Sequence, residues 1–125
     1  MKRRQVLHVE SGQILIPAAR WCDTFGQKLR GFTFHPPITE DEGLVLVETA
    51  DSRLNSGIHM LFVSFDLGVL WVNSQGYVVD TVVAKPWRLS YMPQEPAQYI
   101  VEGHPGRLKH VRIGDTIQFL EVASK

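Results

Sequence analysis

The chain has a single cysteine, no net charge and no apolar run long enough to cross a bilayer, and each lack closes off a class of function. Cys22 stands alone among 125 residues. No intramolecular disulfide or cysteine-based zinc site can form, a pattern that fits a reducing compartment. The 13 basic side chains balance the 13 acidic ones, so no overall field gathers DNA, RNA or an anionic membrane, and nucleic acid is not an expected partner. Ser64, Asp66 and Gly68 cut the longest apolar stretch, which removes the transmembrane helix and with it a membrane role. Met1-Lys2-Arg3-Arg4 carries the charge of a signal peptide, but His8, Glu10, Ser11, Gly12 and Gln13 interrupt the apolar core that such a peptide needs. A cytoplasmic location is expected.

What is present is an ordinary globular composition, 44% apolar and 21% charged, in a length that suits one domain over residues 1–125. The longest apolar segment runs from Ser56 to Asp80 and is broken by Asn73-Ser74-Gln75-Gly76, a hairpin turn signal. Ile58 to Phe65 and Val69 to Val72 read as strand, with Gly68 as a kink between them, and Tyr77 to Val83 as the returning strand. Val6 to Val9 and Gln13 to Ile16 form a second hairpin around Ser11-Gly12, ended by Pro17. Leu44 to Val47, Gln98 to Glu102 and Thr116 to Val122 are further strands. Asp23 or Thr24 caps one short helix through Leu29-Arg30, with Gly31 as its terminator. About seven to nine short strands at roughly ten-residue spacing predict a mainly β, antiparallel sandwich or barrel.

Motifs spread along the chain resemble a bacterial and archaeal family, the domain of unknown function 192. Leu29-Arg30-Gly31-Phe32 is similar to its Arg-Gly-Leu-Met-type segment, and Asp41-Glu42-Gly43-Leu44-Val45-Leu46 to its acidic-Gly element. Ile58-His59-Met60-Leu61-Phe62 resembles the central motif. Tyr99-Ile100-Val101-Glu102, Pro105-Gly106 and Gly114-Asp115 resemble the closing elements, so the likeness covers about residues 17–122. The resemblance implies a compact fold of jelly-roll-like type and no established activity. One departure stands out. Where the family continues Phe-Pro-Ile-Asp-Val, this chain has Phe65, Asp66, Leu67, Gly68 and Val69. Asp66 replaces the proline and Gly68 the aspartate; on a regular strand the two positions would share a face.

The candidate residues support two functions. His59 lies inside an apolar run, where a buried neutral histidine is the plain reading and a general base the sharper one. With Asp66 and Glu102 it would serve a small hydrolase or another acid–base enzyme, provided the three side chains converge in a cleft. The five histidines lack metal-site spacing, the acidic run Glu40-Asp41-Glu42 lacks the pattern of a calcium loop, and Cys22 and Ser64 lack a nucleophile motif. Neither metal nor cofactor is therefore expected. The Lys85–Pro93 loop is the preferred surface. Its prolines limit the entropy lost on ordering, and Trp87, Arg88 and Tyr91 are of the types that contribute most per contact. The leading reading is a non-enzymatic module that binds a small molecule or a protein through Trp87, Arg88 and Tyr91.

Overall fold

The computed structural model describes residues 2–122 and is mainly β. Its strands are β1 (Arg3–His8), β2 (Gln13–Cys22), β3 (Gly43–Ser52), β4 (Leu67–Val72), β5 (Val78–Ala84), β6 (Ala97–Gly103) and β7 (Ile117–Glu121), joined by two short helices, α1 (Phe25–Arg30) and α2 (Pro105–Leu108). One seven-stranded sheet holds them in the order β5-β4-β6-β3-β2-β1-β7. The sheet curls until its two edges meet. Val78 N donates to Asp115 O (2.9 Å), Gly114 N to Val78 O (2.8 Å) and Ile117 N to Gly76 O (2.8 Å), so part of each edge is paired instead of exposed.

Alternation along the central strands gives the sheet two apolar faces. Val45 of β3, Leu70 and Val72 of β4 and Val101 of β6 point into the curl, where they pack with Val6, Leu15, Ile16, Leu108 and Ile117. Leu44 and Leu46, Leu67, Val69 and Trp71, and Ile100 point the other way and pack with Cys22, Phe32, Ile38, Ile58, Met60 and Val63. Because both sides are covered, every residue of β4 is buried. The β4–β5 hairpin turns as its sequence predicts: Asn73 Oδ1 accepts from Gln75 N and Tyr77 N, and Gly76 takes a φ of 92°.

Several local expectations change. The β2–β3 pair is parallel, Arg20 opposite Leu44 and Cys22 opposite Leu46, so the sheet is not wholly antiparallel; α1 lies on the long crossover that such a pair requires. Pro17 does not end β2. Arg4 faces Ala19 and Val6 faces Ile16, which leaves Pro17 and Ala18 as a bulge where a missing N–H breaks no ladder bond. Pro105–Leu108 form α2 with His104 as its cap, Nδ1 accepting from Gly106 N, a second helix where the sequence predicts only one.

The largest change concerns Ile58 to Phe65, which is no strand. Ile58, Met60 and Val63 are buried, but they lie across the sheet as a cover, and Ile58 bridges only to Tyr91. An apolar run signals burial without saying whether the segment joins a sheet or lies on one. Trp71 pins the cover by donating from Nε1 to Ser56 O at 2.7 Å. Thr24 caps α1 through a full capping box with Gln27.

Candidate functional site

The loop-covered face gathers the unusual features. Glu102 sits on β6 between Leu44 of β3 and Val69 of β4, on the same face as Ile100. It is 5% exposed, the most costly kind of residue to bury. Burial pushes its carboxyl up to about 7, an effect that the Arg20 guanidinium partly offsets. Arg20 is not a direct partner. Its Nη2 donates to Gly31 O at 3.3 Å, and its guanidinium lies 5.2 Å from the Phe32 ring centre. No hydrogen bond among the described residues reaches the Glu102 carboxyl. Since no sealed side-chain oxygen there lacks a partner, the Glu102 oxygens open onto a cavity of about 70 Å³ beneath the Gly31 turn. Leu46, Ile58, Val63 and Leu67 supply its apolar wall, while Lys28, Arg30 and His59 also line it. Lys28 Nζ pairs with Glu48 at 3.1 Å.

His59 is exposed rather than buried. It lies outside any strand, and its Nδ1 accepts from Leu61 N at 3.2 Å. It shares the cavity lining with Glu102, whereas Asp66 lies outside that lining, in an exposed ion pair with Lys85 at 2.9 Å. The Asp66-for-aspartate substitution finds no geometry either. Asp66 precedes β4, while a side chain built at Gly68 would point at Leu108, with Cβ 3.1 Å from its Cδ1.

The second concentration is a surface of three aromatic rings. Phe34 is 77% exposed, Trp87 56% and Phe62 48%. Phe34 stacks on Phe62 with centroids 4.7 Å apart, and Trp87 meets Phe62 edge-on at 5.3 Å. These three are also the non-glycine residues with positive φ among those described: 59°, 61° and 66° for Phe34, Phe62 and Trp87. Left-handed backbone costs a bulky side chain about 1 kcal/mol or more and persists only where surrounding bonds impose it. Those bonds are present. Phe34 N donates to Phe62 O (2.9 Å), Trp87 N to Met60 O (2.8 Å) and Met60 N to Arg88 O (2.8 Å).

Within the Lys85–Pro93 loop, Trp87 and Arg88 are exposed, and Arg88 contributes its carbonyl to the loop pairing. Tyr91 is half-buried; its hydroxyl accepts from Lys85 N at 2.8 Å and its backbone pairs with Ile58. Phe34 and Phe62 escape sequence reasoning because left-handed backbone is signalled by glycine or asparagine, not by phenylalanine. Arg20 and Gly31 escape it because their approach to Glu102 depends on the parallel β2–β3 register.

A third cluster joins His8, Glu10 and Asp115, the group among the described residues with the spacing to hold a metal ion. Its donors are already committed. His8 Nε2 bonds Asp115 at 2.7 Å, His8 Nδ1 bonds Ser11 at 2.6 Å, and Glu10 accepts from Thr116 N. Backbone donation from Arg112, then the His8 bond, holds the Asp115 carboxyl below its ordinary value. This cluster fastens the corner where β7 rejoins β1.

The family model for domain of unknown function 192, described as Uncharacterized ACR, matches residues 6–119. A UPF0127 protein of Pyrococcus furiosus is 34% identical over 116 residues, which cover 91% of this chain and 97% of the relative. A UPF0127 protein of Thermococcus kodakarensis is also 34% identical, over 91% of this chain and 72% of its own length. Two solved structures share the fold. One, described as a "putative transcription regulator" from Sinorhizobium meliloti 1021, has a TM-score of 0.78 at 17% identity and covers 94% of this chain and 92% of its own. The other, a protein of unknown function from Novosphingobium aromaticivorans, has a TM-score of 0.75 at 16% identity, over 93% of this chain and 83% of its own.

Proposed function

The chain belongs to the domain of unknown function 192 family, and from that premise we propose that it is a non-enzymatic binding module whose ligand rests on Trp87, Phe62 and Phe34 beside Arg88. One observation carries this reading: the three aromatic rings that share a strained, left-handed backbone are held together on the surface. Strain of this kind concentrates at ligand clamps, and a rigid aromatic surface loses little entropy when a ligand settles on it. Phe34 and Trp87, the more exposed of the rings, offer apolar surface to a group such as a sugar ring or a proline-rich peptide, and the exposed Arg88, next in sequence to Trp87, suits an adjoining carboxylate or phosphate. Tyr91 shapes the loop. Balanced charge supports leaving nucleic acid out of the reading, and the lone, buried Cys22 supports a cytoplasmic one. No described helix is long and apolar enough to cross a membrane.

The test is a ligand panel of alkyl glycosides and proline-containing peptides, read by Trp fluorescence and thermal shift. Trp87→Ala should keep the fold and abolish every response seen with the native chain. A variant that unfolds, or that keeps the response, removes Trp87 from the site. The acid–base alternative rests on His59 and Glu102 lining one cavity, without Asp66; hydrolytic activity abolished by His59→Gln and by Glu102→Gln would support it.

A further inference from the structure

The aromatic surface leaves Glu102 unused, and its surroundings describe a different site. A carboxylate only accepts hydrogen bonds, and here no protein donor meets it. Its walls are Leu46, Ile58, Val63 and Leu67, and it opens into about 70 Å³, several times the roughly 10–15 Å³ that a single water needs by the same measure. That volume suits the end of an alkylamine. We infer that the cavity beneath Gly31 is a subsite for a primary ammonium group, with Glu102 as its counter-ion. An ammonium brings three donors and one positive charge on a compact head, the complement of an unpaired carboxylate in apolar walls.

The charged groups around the cavity oppose this less than their number suggests. From β2, Arg20 is turned to Gly31 O and the Phe32 ring, and Cys22 is a thiol whose ionisation burial opposes. From α1, Lys28 is paired with Glu48 of β3, and Arg30 is exposed. His59 of the covering segment is exposed. β4 presents Leu67 and Val69. Solvent and salt screen the exposed Arg30, and Glu48 neutralises the part-buried Lys28. The part-buried Arg20 acts on Glu102 more weakly than burial does, whereas Glu102 itself acts through low-dielectric packing. The inner charge dominates. Burial already holds a proton on Glu102 up to about pH 7, so ammonium binding should strengthen as pH rises through neutrality and should release that proton.

The experiment titrates the protein with n-butylammonium and, in parallel, with n-butanol, following backbone amide shifts of Gly31, Thr33 and Glu102 by NMR. At pH 8 the amine should give saturable shifts, the alcohol should bind at least tenfold more weakly, and the amine's affinity should fall at least tenfold by pH 5.5. Glu102→Gln should lose the amine response. If that variant does not fold, the pH dependence of the native chain decides, with His59→Gln retaining it because Glu102 is its source. Equal binding of amine and alcohol, affinity unchanged between pH 8 and 5.5, or shifts that never saturate would overturn the inference. Trp87→Ala should leave the titration unaltered, so this site and the aromatic surface stand or fall separately.

Discussion

One face of the sheet is buried by the sheet's own curl and by α2; the other is buried by residues 31–38 and 56–65, which form no strand. Inside the curl, cover and core are the same structure. Strands that donate side chains also donate ladder bonds, and Gly43, Gly68 and Gly103 lie in register across three neighbouring strands so that Ile16 and Leu108 approach closely. On the loop-covered side, irregular segments are fitted over an existing surface. There the backbone adopts left-handed conformations at Phe34, Phe62 and Trp87, a carboxyl is buried without a donor, and a cavity survives. Regular structure meets its polar requirements locally, while a loop cover leaves some unmet. Those unmet requirements are where a ligand gains most.

Substitutions on the two faces should therefore behave differently. The largest effect is expected inside the curl. Leu70→Ala, which empties a fully buried position, should cost about 2–5 kcal/mol in urea unfolding; a loss below about 1 kcal/mol would mean that this face is loosely packed. On the loop side, Glu102→Gln should stabilise, in a pH-dependent way. The unfolded carboxyl ionises near 4.5 and the folded one near 7. Between these values the native state holds a proton that the unfolded chain has released, so native stability falls as pH rises through that window. A neutral amide at this position has no proton to release and no such pH dependence. The variant should thus gain up to about 3 kcal/mol over the native chain above pH 7, with the gain levelling off below pH 4.5. A pH-independent difference would show that Glu102 finds a donor when folded. Trp71→Phe should cost about 1–2 kcal/mol through the orphaned Ser56 carbonyl and should loosen residues 56–65 more than β4, visible in amide exchange. The smallest change is Phe34→Asn. Asparagine tolerates φ near 59°, so melting should rise by the equivalent of a few tenths to about 1 kcal/mol. A fall would mean that the Phe34–Phe62 stack outweighs the strain.

The two faces also differ in how far the sequence foretells them. The β4–β5 hairpin, the start of α1 at Asp23 or Thr24 and the helix stop near Gly31 are legible because each depends on neighbours a few residues apart. Every strand facing the curl is foreseen, though β2 runs past Pro17 and β3 runs on beyond Val47 to Ser52. The loop cover is not. Ile58 to Phe65 has the composition of a strand, and only its partner, the irregular 85–91 loop, makes it something else. Trp87 and Arg88 stand out by residue type, and their loop is exposed, yet the rings that complete the surface come from residues 34 and 62, brought in by long-range bonds. His59 and Glu102 can be singled out one by one; that they share a cavity follows from strand order, and that Asp66 is absent from it follows from where β4 begins.

Residue-resolved hydrogen exchange under native conditions addresses the claim that a rigid sheet carries a separable functional cover. The amides of Ile58, Met60, Trp87 and Tyr91, bonded only between irregular segments, should open at free energies well below those of Val45, Val69, Ile100 and Val101, which should exchange through global unfolding. A single opening free energy shared by both groups would refute that separation, because cover and sheet would then be one cooperative unit.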